Sequence, residues 1–425
     1  MRPPAFGTYF VRFCSMIFLV ACGGGGRDIV EPPPVSGSFV LTVRAADADL
    51  SVAEKLGWSA GIPNAEVTLT PTDGSGAPRI LTTTAAGTVS ISSLPPGKYR
   101  VSVRRLLNAT EIATLNEASG AGAFVGESEV DVTSSSGTAT IRVPASFRTS
   151  LVISEWSFNN RFFPGIGSYR YGGFLELYNN SDTTVYLDGV LLVNGHEKST
   201  HQPGTFADCN LYKPYQNDPD GVWSQFMQAF PGTGRDYPLA AGKTVVVATD
   251  AIDHRPISAG ELDLRGAHFE FIGSADVDNP QVPNMVERGV REAFFGHGLI
   301  MGTSLATVTG VSLPRAAATF VRANLPPNAT EHVRIPRQDI LDVFTSISTW
   351  MSRQQPPIGV CPELVHASMD RQYATLQQDS EHDWAVSFSR RVLRTLPNGQ
   401  HVLQYTRNSA NDFQRTPHTP GVVSP

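Results

Sequence analysis

Short stretches of alternating apolar and polar residues run from Ser38 to Ala145, and turn residues separate them. A period of two predicts strands that bury one face, and regular spacing by turns is typical of a β-sandwich. We therefore predict a first β-sandwich over residues 38–146. The apolar positions that carry the pattern are Phe39, Leu41, Val43, Val67, Leu69, Val89, Ile91, Tyr99, Val101, Val103, Ile141 and Val143.

A second set of strands begins near Leu151. Strands are predicted over 151–156, 173–181 and 185–190, and the segment 237–248 predicts a turn followed by a wholly apolar, buried strand. We predict that this second β-rich part extends over residues 150–425, which makes the fold class all-β.

The N-terminal residues have the features of an export signal. Arg2 and Arg12 make the start basic, and the apolar run over 13–21 is too short to span a bilayer. The run ends in Leu-Val-Ala before Cys22, which resembles the lipobox of bacterial lipoproteins. The resemblance implies that residues 1–21 are a signal peptide and that Cys22 is acylated. The alternatives are an ordinary signal peptide with a chance cysteine, or a transmembrane helix.

Residues 22–37 combine four glycines at 23–26 with three prolines at 32–34. This composition predicts a flexible tether behind a membrane anchor. Since no acidic residue directly follows Cys22, the lipoprotein resemblance favours the cell outer membrane, with the chain facing the periplasm or the cell surface.

Charge excludes one class of partner. The chain has 425 residues and a formal net charge of −6, and its lysines are scattered. Binding to phosphate backbones requires clustered lysine and arginine, so we predict no nucleic-acid partner.

The turn at residues 94–97, Leu-Pro-Pro-Gly, precedes Tyr99 and joins two predicted strands. Its prolines restrict φ and Gly97 permits a positive φ. The element resembles the carboxypeptidase regulatory-like, transthyretin-like repeat of exported bacterial proteins. That resemblance implies a spacer or binding platform without catalysis. Residues 106–127 depart from the compact repeat, and we predict an inserted loop there.

Three segments of the second part, 174–179, 187–189 and 238–242, occur in the order found in lamin-tail domains. The second part resembles an uncharacterised bacterial family of lamin-tail-like surface lipoproteins, known chiefly from Bacteroidetes. The resemblance implies an immunoglobulin-like β-sandwich with no assigned activity, so two such sandwiches follow the signal peptide and tether. It also implies that 200–235 and 252–335 are insertions.

Two cysteines besides Cys22 raise the question of a disulfide. An exported protein meets an oxidising compartment, so Cys209 and Cys361 could pair. The alternative is two buried thiols that pack as small apolar groups.

Two acidic turns could hold Ca²⁺, which prefers oxygen ligands. One contains Asp218 and Asp220, and the other contains Asp276 and Asp278. Neither has the spacing of a calcium loop, and aspartates in turns commonly cap backbone amides. We predict no other cofactor.

Candidate catalytic groups are isolated. Residues 302–306 resemble the nucleophile motif of subtilisin-like proteases, but position 308 is valine instead of proline and no histidine pattern supports the serine. Glu155 and Glu176 could be a glycosidase pair, but they occupy strand positions where lamin tails carry acids. We predict no catalytic residues.

Aromatic residues crowd the first loop of the second part, and exposed aromatics can stack on sugars or anchor partners. Closing the end of the sandwich core is the alternative role. The candidate ligand-binding residues are Phe158, Phe162, Phe163, Tyr169 and Tyr171.

The sequence thus predicts a lipid-anchored envelope protein without catalysis that displays its sandwiches to an unknown glycan or protein partner, for example as an outer-membrane uptake component. The alternatives are an envelope-associated hydrolase with its site in an inserted loop of the second part, and a purely structural envelope component.

Overall fold

The computed structural model describes fourteen segments of the chain. Residues 1–36, which include Cys22, lie outside them, as do Cys209 and Cys361, so the predictions of a signal peptide, a tether, a lipid anchor and a disulfide stay predictions. The described segments are residues 37–115, 120–157, 161–163, 165–169, 171–194, 218–224, 226–258, 260–273, 277–289, 304–308, 321–325, 330–348, 365–376 and 386–423.

The first sandwich has a sheet of order β4-β1-β7 packed on a sheet of order β3-β2-β5-β6-β8. Its helices are α1 (Leu50–Lys55), α2 (Ala109–Leu115) and a 3-10 turn at Asp47–Asp49. Its strands are β1 (Ser38–Ala45), β2 (Glu66–Pro71), β3 (Arg79–Thr82), β4 (Thr88–Ser92), β5 (Gly97–Leu106), β6 (Ala121–Val132), β7 (Gly137–Val143) and β8 (Ala145–Phe147).

The period-two pattern lies where it was predicted. All twelve apolar positions that carry it are buried, and they meet in one core between the two sheets. β1 is antiparallel to β4 and parallel to β7, so the chain crosses between the layers before it adds the last strand of the smaller sheet.

The prediction of an inserted loop over 106–127 is wrong. The segment contains α2 and the first half of β6, which continues the β5 ladder out to the pair Leu106 and Ala123. Leu115 and Phe124 are buried in the core of the first sandwich. Burial of these apolar side chains favours regular structure over a solvated loop.

The Leu-Pro-Pro-Gly turn forms as the sequence indicates. Leu94 is fully buried, the Tyr99 hydroxyl donates to the Pro95 carbonyl at 2.9 Å, and Gly97 has a φ of +153°. A residue with a Cβ rarely adopts that φ, so glycine is needed where the strand starts.

The second sandwich is built from many short strands, a helix α3 (Ser409–Asp412) and a 3-10 turn at Arg337–Asp339. The strands are β9 (Leu151–Ser157), β10 (Arg161–Phe163), β11 (Gly167–Tyr169), β12 (Phe174–Asn179), β13 (Val185–Tyr186), β14 (Leu191–Asn194), β15 (Gly221–Ser224), β16 (Phe226–Ala229), β17 (Pro238–Leu239), β18 (Thr244–Ala248), β19 (Phe269–Glu270), β20 (Val286–Glu287), β21 (Ser304–Val308), β22 (Val321–Leu325), β23 (Thr330–Pro336), β24 (Ile340–Ser348), β25 (Ala374–Leu376), β26 (Val386–Arg390), β27 (Val392–Thr395), β28 (His401–Leu403) and β29 (Phe413–Pro417).

Two six-stranded sheets face each other in the second sandwich, with orders β19-β18-β12-β9-β26-β29 and β20-β16-β14-β21-β24-β25. Trp156, Phe344 and Phe388 pack together between them. A smaller sheet, β15-β23-β22, covers the outer face of the second sheet. β14 is therefore buried on both faces: Leu192 belongs to the central core, and Leu191 and Val193 belong to the outer one.

A buried arginine, Arg390, lies in the interior of the second sandwich. Arg390, at the end of β26, donates to the carbonyl of Ile153 at 2.7 Å and to the Asp342 carboxylate at 2.5 Å. Its other end lies 3.4 Å from Asp412 and donates to the Gln404 carbonyl at 3.0 Å. The guanidinium thus connects β9, β24 and β26 with the segment that runs from residue 404 to α3.

Replacing Arg390 with methionine should strongly destabilise the fold, because the buried Asp342 and Asp412 would lose their cation. We expect the free energy of unfolding to fall by about 3–5 kcal/mol, measured by urea denaturation. The matched control is Arg255→Met: Arg255 forms exposed ion pairs with Asp253 and Asp263, and its loss should change stability far less. Equal effects from the two variants would contradict this role for Arg390.

Candidate functional site

The two sandwiches meet along a joint that hydrogen bonds cross at several points. The Phe147 amide donates to the Tyr405 carbonyl at 2.8 Å, and the Tyr405 amide donates to the Ser146 hydroxyl at 3.1 Å. The Asn411 side-chain amide donates to the Val125 carbonyl at 3.2 Å. Residues 404–412 therefore form the second sandwich's side of the joint. Arg390 contacts Gln404 and Asp412 of this segment from within the second sandwich.

A buried ion pair strengthens this joint. Both terminal nitrogens of Arg371 donate to the Asp49 carboxylate, at 2.7 and 2.9 Å. Asp49 also accepts from the Ala145 amide at 3.1 Å and is 3% exposed. A two-point contact between guanidinium and carboxylate restricts orientation as well as distance, so it fixes one sandwich against the other.

The β27–β28 hairpin inserts into the joint. Leu393 and Val402 pack on Ala123 of β6, and Arg104 of β5 donates to the Leu393 carbonyl at 2.7 Å. Residues of this hairpin line two cavities between the sandwiches. Interfaces between domains are common places for ligand sites, so these two cavities are the candidate site.

The first cavity, which we call the polar cavity, has a volume of about 250 Å³. Guanidinium, carboxylate, amide and hydroxyl groups from both sandwiches converge on it. Its lining residues are Ser102, Arg104, Val125, Gly126, Glu127, Arg391, Val392, Gln404, Asn411 and Gln414.

Contacts within the polar cavity hold its side chains in place. Arg391 donates to the Gln414 side chain at 3.1 Å and lies 3.7 Å from Glu127. The Gln404 amide donates to the Asn411 carbonyl at 2.8 Å. The buried Nε of Arg391 has no hydrogen-bond partner in the part of the chain that the structure describes. The cavity therefore presents polar side chains that contacts with each other hold in place.

The second cavity, the apolar cavity, has a volume of about 210 Å³. Most of its side chains are apolar, and its charged side chains are two arginines. Its lining residues are Ile112, Gly120, Ala121, Gly122, Ser146, Phe147, Arg148, Leu393, Arg394 and Val402.

None of the described residues that line the two cavities is a histidine or a cysteine. Within this described lining, Ser102 and Ser146 have no histidine base beside them. Ser304 of the protease-like motif opens β21, which pairs with β14 and β24, while residues 302 and 303 lie outside the described segments.

Part of the predicted aromatic cluster is engaged in internal contacts. Tyr169 and Tyr171 are half-buried, with their rings 5.5 Å apart. The Tyr169 hydroxyl bonds to Nδ1 of the buried His254, whose Nε2 donates to the Asp250 carbonyl at 2.9 Å. Burial lowers the pKa of His254 and raises that of Tyr169. Both tyrosines thus contact other residues of the second sandwich, and their predicted role in ligand binding stays a prediction.

The structure describes less of the phenylalanines of that cluster. Phe162 and Phe163 belong to β10, which pairs with β11, but their side chains are outside the described part of the structure, as is Phe158. The predicted role of these three residues in ligand binding stays a prediction.

The aspartates predicted for Ca²⁺ make internal contacts. Asp218 accepts from the Trp223 indole at 2.7 Å, and Arg334 lies 3.6 Å from Asp218 and 3.8 Å from Asp220. Asp278 accepts from the Asn284 amide at 2.7 Å, while Asp276 lies outside the described segments. Among the residues that the structure describes, no three His, Cys, Asp or Glu side chains form a group suited to a metal ion.

Glu155 and Glu176 are cross-strand neighbours under the chain that follows β29. The Thr419 amide and hydroxyl donate to Glu155 at 3.0 and 2.7 Å, and the Gly421 amide donates to Glu176 at 2.7 Å. Burial raises the pKa of both carboxyls, that of Glu176 to about 7, and the charge of Glu155 adds to the effect on Glu176. The pair holds residues 419–421 against the sheet and is covered by them.

Sequence reasoning missed the hairpin that lines both cavities. Asn398 and Gly399 lie between two short apolar-polar stretches, and an Asn-Gly pair in that setting is a strong hairpin signal. The signal identifies β27 and β28 but not the first-sandwich residues that they face.

No family model and no curated protein matches the chain. Solved structures do match. A DUF4876 family protein from Bacteroides thetaiotaomicron is 16% identical, with a TM-score of 0.48, and the match covers 89% of this chain and 94% of that one.

Two further matches are weaker. A candidate adhesin from Bacteroides ovatus is 10% identical (TM-score 0.18; 76% of this chain, 89% of that one). A candidate carbohydrate-binding protein from Bacteroides uniformis is 8% identical (TM-score 0.16; 73% of this chain, 98% of that one). Since all three TM-scores are below 0.5, these similarities carry no argument about family, ligand or partner.

Within the described segments, no helix has both the length and the apolar character needed to cross a bilayer.

Stability should depend on pH through Glu176. A carboxyl whose pKa rises on folding stabilises the folded state while it is protonated. Its contribution is therefore complete below about pH 4.5 and is lost as the pH rises through about 7. Relative to Glu176→Gln, the wild type should lose on the order of 3 kcal/mol over this range. Urea denaturation of both proteins at several pH values measures the difference, and parallel pH curves would contradict the assignment.

Proposed function

We propose that this chain is a lipid-anchored protein of the cell envelope that binds a glycan without catalysing a reaction on it, and that the polar cavity is the binding site. The observation that carries the proposal is the convergence of guanidinium, carboxylate, amide and hydroxyl groups from both sandwiches on one cavity.

The groups of this cavity suit the hydroxyl groups of a sugar. Each sugar hydroxyl both donates and accepts hydrogen bonds, and the amides of Gln404, Asn411 and Gln414 likewise carry both functions. The terminal guanidinium nitrogens of Arg104 and Arg391, which also line the cavity, would add charge-assisted contacts. A volume of about 250 Å³ corresponds to about eight water molecules, which one sugar unit could displace with its ring and hydroxyl groups together.

The first loop of the second sandwich is a further candidate contact. Tyr169 and Tyr171 are only half-buried, so each keeps some ring surface in solvent. Aromatic faces of this kind stack on sugar rings or anchor protein partners. Phe158, Phe162 and Phe163 belong to the same proposal on the basis of their position in the sequence.

The proposed location rests on the N-terminal residues. The basic start, the apolar run over 13–21 and Cys22 have the order of a lipoprotein signal, and the glycine-rich and proline-rich residues after Cys22 would let the sandwiches stand away from the membrane. The cell outer membrane is the proposed destination, because no acidic residue follows Cys22 directly.

The anchor is tested by labelling cells with radioactive palmitate. The wild-type chain should incorporate label, and Cys22→Ser should incorporate none, because the thiol is the proposed acceptor of the lipid. Cys209→Ser is the matched control and should be labelled like the wild type. Equal labelling of the wild type and Cys22→Ser would refute the anchor.

The glycan site is tested with a soluble fragment that starts at Ser38 and contains every described sheet. In a glycan-array screen followed by calorimetry, Gln414→Leu should weaken binding by about tenfold, since it removes a side chain that both contacts Arg391 and faces the cavity. Gln281→Leu, at an exposed turn position, is the control and should bind like the wild type.

The same screen separates the alternatives. Release of a shortened glycan would support the envelope-associated hydrolase, and the absence of any glycan binding would favour a purely structural component or a protein partner. Either result would overturn the proposal.

A further inference from the structure

The apolar cavity is large enough for an aromatic ring, and Arg394, which lines it, has no acceptor among the described residues. Its walls include the side chains of Ile112, Phe147, Leu393 and Val402. Its volume of about 210 Å³ exceeds the about 150 Å³ of an engineered apolar cavity that binds benzene. An apolar body of six to eight carbon atoms therefore fits the space that the walls enclose.

Arg394 distinguishes this cavity from a simple packing defect. It lies on β27 opposite Val402, and its Nε is buried without a hydrogen-bond partner. Within the described segments its guanidinium forms no hydrogen bond or ion pair. Arg394 is one of the lining residues, and a bound carboxylate would give its terminal guanidinium nitrogens an acceptor that the described residues do not supply.

Four other arginines at the joint have acceptors. Arg104 donates to the Leu393 carbonyl, Arg371 to Asp49, and Arg391 to Gln414. Arg148, which also lines the apolar cavity, bonds to the Asn180 carbonyl and to Asp182. Arg394 differs from these four, and none of the described residues that line the cavity is acidic.

We propose that the apolar cavity binds a small organic carboxylate, with the carboxylate on Arg394 and the apolar body against Phe147, Leu393 and Val402. A carboxylate matches the planar fork of a guanidinium, which favours it over a point-like anion. The apolar walls favour a ligand whose remaining surface is hydrocarbon over a hydrated phosphate. This site is separate from the polar cavity and takes a different class of ligand.

Gly122 provides a way to fill the cavity without touching Arg394. It lies in the cavity wall, and a Cβ added there would have no atom within 4 Å. A leucine at this position would therefore extend into open space and not into the backbone.

The test uses isothermal titration of the processed chain, residues 22–425, made with Cys22→Ser so that no lipid competes. The probe is phenylacetate, and its uncharged isostere phenylacetamide and inorganic phosphate are the comparisons. We expect saturable binding of phenylacetate, binding of phenylacetamide at least tenfold weaker, and no binding of phosphate.

Two variants test the charged part and the apolar part of the site separately. Arg394→Gln should weaken phenylacetate binding at least tenfold and leave phenylacetamide binding nearly unchanged, and Gly122→Leu should abolish binding of both. Arg100→Gln changes an exposed arginine of β5 outside the cavity lining and should have no effect. Thermal unfolding of each variant shows that it is folded, and if one variant fails to fold the other still tests the site.

Three results would overturn the proposal: no saturable binding of phenylacetate, equal affinity for the acid and the amide, or wild-type affinity in a folded Arg394→Gln protein. Glycan binding in the polar cavity should survive both Arg394→Gln and Gly122→Leu, so failure of this inference can be distinguished from failure of the proposed function.

Discussion

The buried cation of Arg390 is the interaction on which the rest of the structure depends. Its side chain is 1% exposed and lies between the carboxylates of Asp342 and Asp412, with the Phe413 ring 4.3 Å away. Burying three charges is costly unless each is paired and hydrogen-bonded. The cost is offset here because Asp342 also accepts from the Ile153 amide and Asp412 accepts from Thr406. All of these groups are therefore paired only when the surrounding strands have the observed arrangement.

That arrangement has consequences beyond the second core. Arg390 and Asp412 fix residues 404–412, and the outer side of this segment bonds to Ser146, Phe147 and Val125 of the first sandwich. The joint is thus an extension of the buried ionic cluster, closed on its other side by Asp49 and Arg371. A cavity between two sandwiches keeps its shape only when the sandwiches keep a fixed relative position. Both the polar and the apolar cavity therefore depend on these contacts.

Other buried acids of the second sandwich bind neighbouring segments of the chain. Glu155 and Glu176 bind the chain over 419–421, and Asp370 accepts from Thr345 and Ser409 at 2.5 Å each, with a pKa that burial raises to about 6. At the joint, polar side chains from both sandwiches line open volume instead. A few polar groups that converge on such a volume are typical of a binding site.

The sequence by itself determined the all-β class and most strands of the first sandwich. The alternation of apolar side chains is a local property, and a strand buries alternate residues wherever it lies. It also predicted the Leu-Pro-Pro-Gly turn, because φ restrictions act within a few residues. The prediction of a loop over 106–127 is wrong because the stability of α2 and β6 comes from packing against distant strands. The binding site could not be predicted for the same reason: Arg104 meets Leu393 across 289 positions, and Asp49 meets Arg371 across 322. Only the tertiary structure brings these residues together, because a cavity is defined by volume between surfaces that are far apart in the chain.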